Sequence, residues 1–594
     1  MQPDLEAYEG MLVTFADTLT VTEQYQLDRF NEIKLVAGAR PYQFTQQNTP
    51  SVTGLAQHLQ SVGARTITYD DGLNTQNASI NNLDGYAPYN EASAKRMGDT
   101  ISGLSGVLDY KWAGNSASGA TWRVRSHQDG SNLFSSVAQG NSTNPRSAPP
   151  ELSGALTLAS LNVLNYFTTL DNGATTAVGL DPRGANNPDE LARQQAKLIN
   201  AIVGLDADVL TLVEIENDFD SVNDGSTAIE TLVSAINAKL GNTRYDYVFP
   251  GQRFVGTDAI AVALIYDTQT TELATGSSPA LLDDSAAAQL DVFASRDFTA
   301  NPIFNGPATN RVALAASFTH KDSGEQFTVA GNHFKSKGSS SLSDTTSPNY
   351  DQNDGAGFWN QRRLDAASAL LSWLETSPTG LTDSDIAITG DLNAYALEAP
   401  VQYLLNQGFV NPEGEQDYSY VFDGQVGTLD YILLSGDFSD KYSESAVWHI
   451  NADEADALDY NLDFGRDPGY FNDASAVRAS DHDPLIVSFN VAQTPAISIA
   501  MLNDELRTLL QNKTITGAGR WHFLQPLNAL LYYGLLQKAA WHEQRGRITT
   551  ACRYLAHAQE RADGNARPTD WISGSGLGQW QTLLSTTQQS NCAP

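Results

Sequence analysis

Cysteine is nearly absent from this chain: 594 residues carry two, Cys552 and Cys592. That excludes a disulfide framework and a cysteine-ligated metal centre, and no zinc-type spacing of Cys or His occurs. The pair can still join. In an oxidising compartment one bond would close a loop of about 40 residues and contribute on the order of 4 kcal/mol. Positive charge is also scarce, with 35 Lys+Arg against 69 Asp+Glu and a net charge of -34. This is the opposite of the basic footprint of a protein that clings passively to nucleic acid. Long apolar runs are missing too, so no segment reads as a transmembrane helix, and Met1-Gln-Pro-Asp-Leu-Glu6 opens no signal peptide. A secreted location is expected, with any export signal removed or lying upstream.

What is present suits folded domains: 41% hydrophobic and 18% charged residues, in a length that calls for more than one core. Most of the acidic excess is explained by solubility, although carboxylates that converge in a cleft also attract hard divalent cations. Residues 1–150 alternate in strand fashion, as in Met11-Leu-Val-Thr-Phe15 and Thr121-Trp-Arg-Val-Arg125, and predict a β-rich, OB-like accessory domain. Trp112 and Trp122 beside Lys111, Arg123 and Arg125 read in two ways, as a surface that stacks bases and holds phosphates or as ordinary strand core. The polar stretch from Asn141 to Pro150 reads as a linker.

Residues 151–493 interleave apolar strands with helices, the pattern of an α/β domain. One helix is expected from Pro188, with Asn187 as cap and Glu190 completing a capping-box arrangement; another covers Asn360 to Trp373. Residues 494–594 read as a helical accessory domain that carries both cysteines.

One polar residue after another stands where an apolar strand of the middle domain runs out, which is where α/β sheets place their sites. Asn162 and Glu214 end strands, His333, Asp391 and Asn393 follow them, Asp430 opens one, and Ser480-Asp-His-Asp-Pro484 opens the last. Glu214, Asp481 and the amide of Asn162 offer oxygen ligands suited to Mg²⁺, Mn²⁺ or Ca²⁺. His482 can take a proton near neutral pH if a carboxylate such as Asp430 fixes its tautomer, and a neighbouring metal would neutralise a phosphate. Together these describe hydrolytic phosphoester chemistry.

In order, Leu161-Asn-Val-Leu-Asn165, Val213-Glu-Ile-Glu-Asn217, Gly331-Asn-His-Phe-Lys-Ser-Lys337, Gly390-Asp-Leu-Asn393, Leu429-Asp-Tyr-Ile432 and Ser480-Asp-His-Asp-Pro484 resemble the motifs of the endonuclease/exonuclease/phosphatase superfamily. Flanking words such as His449-Ile-Asn-Ala-Asp-Glu454 resemble its bacterial extracellular ExeM/NucH-type nucleases. The resemblance covers residues 155–490. It implies a four-layered α/β sandwich of the DNase I-like kind and a secreted, divalent-metal-dependent nuclease. Glu214 would be the central metal ligand with Asp481 and Asn162 nearby, and Mg²⁺ or Mn²⁺ the metal. His482, oriented by Asp430, would be general base or phosphate-binding imidazolium, and Asp391 would position or deprotonate the attacking water. Asn393 and Arg311 would bind phosphate, and His333 would assist the leaving oxygen. The products would carry a 5′-phosphate and a 3′-hydroxyl.

Several choices stay open at this point. Strand alternation would aim Glu214 and Glu216 at one face, with Glu214 in the family register. Asp351 and Asn353, in Asp351-Gln-Asn-Asp-Gly355, read as a plain turn or as a second metal site holding structural Ca²⁺. The expected partner is DNA, with RNA not separated from it; no protein partner is implied. A phospholipase or phosphatase of the same fold, or a catalytically silent binding protein, are the alternatives.

Overall fold

The computed structural model describes residues 3–80, 88–114, 116, 119–221, 225–382, 384–414, 417–491, 499–518, 525–545, 547–563 and 569–592. The chain divides into two compact units, Met1–Lys321 with Glu325–Val491 and Asp322–Gly324 with Ala492–Pro594. The first unit holds three large sheets in a mixed α/β arrangement.

The N-terminal sheet comprises β1 (Leu12–Thr14), β2 (Thr18–Glu23), β3 (Glu32–Ala37), β4 (Thr66–Asp70), β5 (Thr100–Ser102), β6 (Ser105–Lys111) and β7 (Thr121–Arg125). β1 pairs with β6 and β2 with β5, and Phe15 N donates to Leu104 O between them, so the run 12–23 lies along the run 100–111. From β2 the pairing passes through β3 and β4, crosses to β7 in parallel, and returns through β6. The sheet therefore closes on itself. Period-two alternation sends Leu19, Val21, Ile33, Leu35, Ile67, Tyr69, Leu108 and Val124 into its core. Ala455, Leu458, Tyr470 and Val477, distant in sequence, complete the same cluster.

Two further sheets lie face to face. One joins β8 (Leu156–Tyr166), β9 (Val209–Glu216), β10 (Tyr245–Tyr247), β11 (Ile260–Asp267), β20 (Tyr442–Val447) and β21 (Leu485–Phe489) in the order β10-β11-β9-β8-β21-β20. The other joins β12 (Thr271–Leu273), β14 (Ala313–His320), β15 (Gln326–His333), β16 (Ile386–Asp391) and β19 (Asp430–Leu434) in that order, with β13 (Ala280–Leu282) added beside β14. Leu158, Val209 and Val487 of one sheet share a core with Phe318, Val329 and Ile432 of the other. The approach is close at Gly331, where an added Cβ would lie 2.8 Å from a Val262 methyl. The Thr211 and Thr389 hydroxyls hydrogen-bond across the same seam at 2.6 Å.

Helices Pro188–Leu205 and Ala228–Leu240 pack on the first sheet, and Asn360–Leu374 belongs with the second. Asn187 caps the first of them by accepting from Asp189 and Glu190 N. Glu190 reaches back to Asn186 N, one residue before the cap. A two-stranded hairpin, β17 (Tyr420–Phe422) and β18 (Gln425–Gly427), precedes β19.

The second unit contains helices Ile499–Gln511, Gln525–Glu543, Ile548–Gln559 and Leu577–Cys592. Trp580 is fully buried and donates its indole N–H to Tyr532 OH at 2.8 Å. Cys552 and Cys592 form a disulfide with Cα atoms 5.6 Å apart.

Candidate active site

Strand direction assembles the site. β8 runs parallel to β9 and β15 parallel to β16, so Asn162, Glu214, His333 and Asp391 lie at one end of the two sheets. β19 is antiparallel to β16, which places its first residue beside the last of its neighbour: His333 pairs with Asp391, and Asp391 with Asp430. β21 is antiparallel to β8, so the turn before Leu485 brings Asp481 and His482 to the same edge.

Glu214 does not obey strand alternation. Its φ is +70°, and the register against β11 jumps between Val213 and Ile215, so Glu214 is the extra residue of a β-bulge. β8 breaks register beside it, between Asn162 and Tyr166, with Leu164 and Asn165 both at φ +51°. Asn162 Oδ1 braces that break by accepting from Leu164 N at 2.8 Å, and Asn165 N donates to Glu214 Oε2 at 3.1 Å. The expectation that Glu214 and Glu216 share a face is corrected. Glu216 is buried and accepts from the backbone and hydroxyls of Thr168 and Thr169, which makes it a loop anchor.

His482 donates from Nδ1 to Asp430 Oδ2 at 2.7 Å, and the Ser419 hydroxyl donates to the same oxygen at 2.7 Å. The Tyr420 ring covers the imidazole with centroids 4.4 Å apart. Burial opposes the charged imidazole, but the carboxylates of Asp430 and Asp481 outweigh it and hold its pKa well above the usual histidine value. Asp391 is raised as well, which for a carboxyl favours the neutral form. Burial and the charge of Asp430 raise its pKa to about 8. Asn393, at φ +47°, orients Asp391 twice, through its backbone N to Oδ1 at 2.7 Å and its Nδ2 to Oδ2 at 2.9 Å.

His333 Nε2 lies 3.5 Å from Asp391 Oδ2 and 3.9 Å from Glu214 Oε1. Burial, with the Arg311 cation next in weight, pushes its pKa well below the usual value, so it is neutral at neutral pH. Arg311 precedes β14 and hydrogen-bonds by its backbone N to His333 O; its Nη1 stands 3.3 Å from His333 Nε2. Glu214 is raised by burial and then by the charge of Asp481, which disfavours its ionisation. Among the described residues, Asp391, Asp430 and His482 are the group whose ligand atoms all come within 4.8 Å of one another. The His482–Asp430 hydrogen bond already occupies Nδ1 there. Hard oxygen donors and a repelling acid pair suit a divalent cation beside Glu214 and Asp481.

No family model matches the chain, and no curated protein matches it. Solved structures do. The catalytic domain of human Nocturnin with bound sulfate aligns at 16% identity over 58% of this chain and 97% of its own, with a TM-score of 0.33. An endonuclease/exonuclease/phosphatase from Bacteroides vulgatus aligns at 11% identity over 57% and 99%, with a TM-score of 0.33. TDP2 of D. rerio, complexed with single-strand DNA product, aligns at 14% identity over 56% and 98%, with a TM-score of 0.32.

The structure thus brings Asn162, Glu214, His333, Asp391, Asn393, Asp430, Asp481, His482 and Arg311 to one end of the paired sheets. Asp351 Oδ1 accepts from Asn353 N at 2.8 Å, and Asn353 is exposed at φ +55°, the arrangement of a turn. Arg123 and Arg125 are both committed to carboxylates. Arg123 is fully buried against Glu32 and Asp70, and Arg125 pairs with Asp70 and Asp109.

Other contributors were not singled out by the sequence: Asp258 and Arg183 lie outside the motifs, and Lys335, His449, Asn451 and Asp483 lie within them without an assigned role. Asp258 ties two arginines together, accepting from Arg183 at 2.6 Å and Arg311 at 3.1 Å. Lys335, two residues past His333 in a quoted motif, is buried; burial and then the Arg311 charge lower its pKa to about 8. With Arg311 these residues make the His333 side of the site basic. Behind His482, the buried Asp483 accepts from His449 Nδ1 at 2.8 Å and from the backbone N of Asn451 and Ala452. Asn451 Nδ2 in turn holds His482 O at 2.7 Å.

Proposed function

We propose that this chain is a secreted, divalent-metal-dependent phosphodiesterase of the endonuclease/exonuclease/phosphatase superfamily, and that its substrate is nucleic acid, DNA in the first place. The paired sheets with helices outside them then form the four-layered sandwich of that family, and the closed N-terminal sheet is an OB-type barrel. The observation that carries the reading is the His482–Asp430 hydrogen bond set beside the raised carboxyl of Asp391 and facing the acid pair Glu214 and Asp481.

Glu214 and Asp481, with the Asn162 amide beside them, would hold Mg²⁺ or Mn²⁺, which supplies charge neutralisation at the phosphate. The chain's own groups do the rest. Asp391, fixed by Asn393, takes the proton from an attacking water as the new P–O bond forms. His482 stays an imidazolium through Asp430 and donates Nε2–H to a phosphate oxygen. Arg311, Lys335 and Arg183 gather negative charge on the His333 side, where the bond to the 3′-oxygen breaks and that oxygen takes a proton from solvent water, leaving a 5′-phosphate and a 3′-hydroxyl. The disulfide accords with an oxidising, extracytoplasmic compartment, and no described helix is long and apolar enough to cross a membrane.

Incubation with supercoiled plasmid, linear DNA and RNA in Mg²⁺, Mn²⁺, Ca²⁺ or excess chelator tests the proposal, with His482→Ala alongside. Metal-dependent loss of plasmid by the parent alone is expected. No cleavage of any nucleic acid, with release of phosphate or headgroup from a phosphomonoester or phospholipid, would overturn the substrate assignment.

A further inference from the structure

A cleft of about 600 Å³ opens at Asp481 and runs away from the catalytic edge, between Tyr25 and Met97 of the barrel and Tyr420, Phe422 and Arg478 of the sandwich. At Glu23, Gln26, Lys34 and Asp423 it meets a second cleft of about 840 Å³ that continues along the barrel beside Tyr110 and Trp122. The barrel is thus one wall of a groove that begins at a catalytic residue.

Two aromatic side chains stand uncovered on the first stretch, Tyr25 at 65% and Phe422 at 62% exposure. Phe422 ends β17 at the tip of the short hairpin, and that tip is fastened to the barrel. Lys34 Nζ donates to Asp423 Oδ1 at 2.6 Å, Thr22 Oγ1 to Gly424 O at 2.5 Å, and Gln43 Nε2 to Phe422 O at 2.7 Å. The backbone is pinned while the ring is left bare. This arrangement does not suit insertion into a bilayer, because the hairpin lies on protein.

Charge decides what the rings meet. Lys34 is shared by Glu23 at 2.9 Å and Asp423 at 2.6 Å, and Arg478 is paired with Asp456, so both cations of this cleft are committed to carboxylates. A phosphate finds little here, whereas the basic side of the site lies by His333. Flat, uncharged rings with amino groups find aromatic faces to stack on and carboxylates to donate to.

Resting on the nuclease reading, we infer that this cleft receives unpaired nucleobases of the strand next to the scissile phosphate, stacked on Tyr25 and Phe422, with the sugar-phosphate backbone turned to solvent. A duplex hides its base faces, so the cleft favours single-stranded or frayed substrate.

The test compares kcat/KM for a single-stranded oligonucleotide of about a dozen nucleotides with kcat/KM for bis(p-nitrophenyl) phosphate, a diester too small to reach Tyr25. In Tyr25→Ala and Phe422→Ala the ratio should fall about tenfold or more, through KM, and Tyr25→Phe should restore it. An oligonucleotide with abasic residues beside the cleavage site should lose the same advantage in the parent. An unchanged ratio in both alanine variants, or abasic and intact strands cleaved alike, would overturn the inference while leaving the hydrolase intact. A parent that cleaves neither substrate would remove the hydrolase reading itself. Phosphatidylcholine vesicles bound by the parent and lost by Phe422→Ala, with no effect on the oligonucleotide, would assign the rings to lipid and overturn the inference too.

Discussion

Asp430 receives two hydrogen bonds on a single oxygen, Oδ2, from His482 Nδ1 and from the Ser419 hydroxyl, each at 2.7 Å. The serine oxygen also accepts from the backbone N of Leu429 at 3.1 Å and of Asp430 at 3.3 Å, so both its lone pairs are engaged and its proton points at the carboxylate. Imidazole orientation and charge are therefore set from one atom.

Asp430→Asn keeps the shape but removes the charge that holds His482 protonated. A loss of about a hundredfold or more in kcat is expected, with KM little altered. Ser419→Ala removes one of the two bonds and should cost about two- to tenfold. Steady-state kinetics on the two variants check this ordering; equal losses would place Ser419 in the same role as the carboxylate.

Asp391 must be ionised to take a proton, and burial followed by the charge of Asp430 raises its pKa to about 8. Activity should fall as pH falls, with the acid limb of kcat/KM above the ordinary carboxylate value of about 3.9 and at or below about 8. A pH profile at saturating metal measures it. A plateau running unbroken to the ordinary carboxylate range would remove Asp391 from the proton step.

His449 lies between Asp483 and Asp417, at 2.8 and 3.1 Å; burial opposes its charge, but the two carboxylates win and raise its pKa to about 10. A group raised on folding contributes stability that is full below the unfolded value of about 6.5 and lost as pH rises towards about 10. His449→Gln should cost about 2 kcal/mol near pH 6 and progressively less in alkali. Denaturant melts of parent and variant from pH 6 to 10 check the sign; a gap that widens with pH would contradict it.

Much of this site could be read from strand ends. His333, Asp391, Asp430 and His482 sit where an apolar run stops, and parallel and antiparallel neighbours bring those stops together, whereas Asn162, expected to end its strand, lies inside β8 where the register breaks. Glu214 and Glu216 were not separable in that way, because a bulge breaks the alternation on which the reading relied, and a bulge depends on the partner strand. In a local window Arg123 and Arg125 read either as part of a phosphate surface or as residues of an ordinary strand core, and only the pairing of β7 with β4 and β6 shows them facing Glu32, Asp70 and Asp109. Arg183 gave no signal at all, since it acts through Asp258, 75 residues away in sequence.

The shared cluster of Leu35, Tyr69 and Val124 with Ala455, Leu458 and Val477 bears on how the molecule can be taken apart. Glu454, wholly buried beside these residues, is neutralised by Arg96 at 2.6 Å and Arg146 at 2.8 Å, both supplied from before residue 150. A truncation that begins at residue 151 would take both arginines and their cover away from that carboxylate, leaving it unpaired and open to water, and would bare the apolar half of the cluster. Residues 1–150 are then better regarded as a part the paired sheets were built around than as an appendage to be trimmed, and recombinant fragments meant to isolate those sheets should keep them.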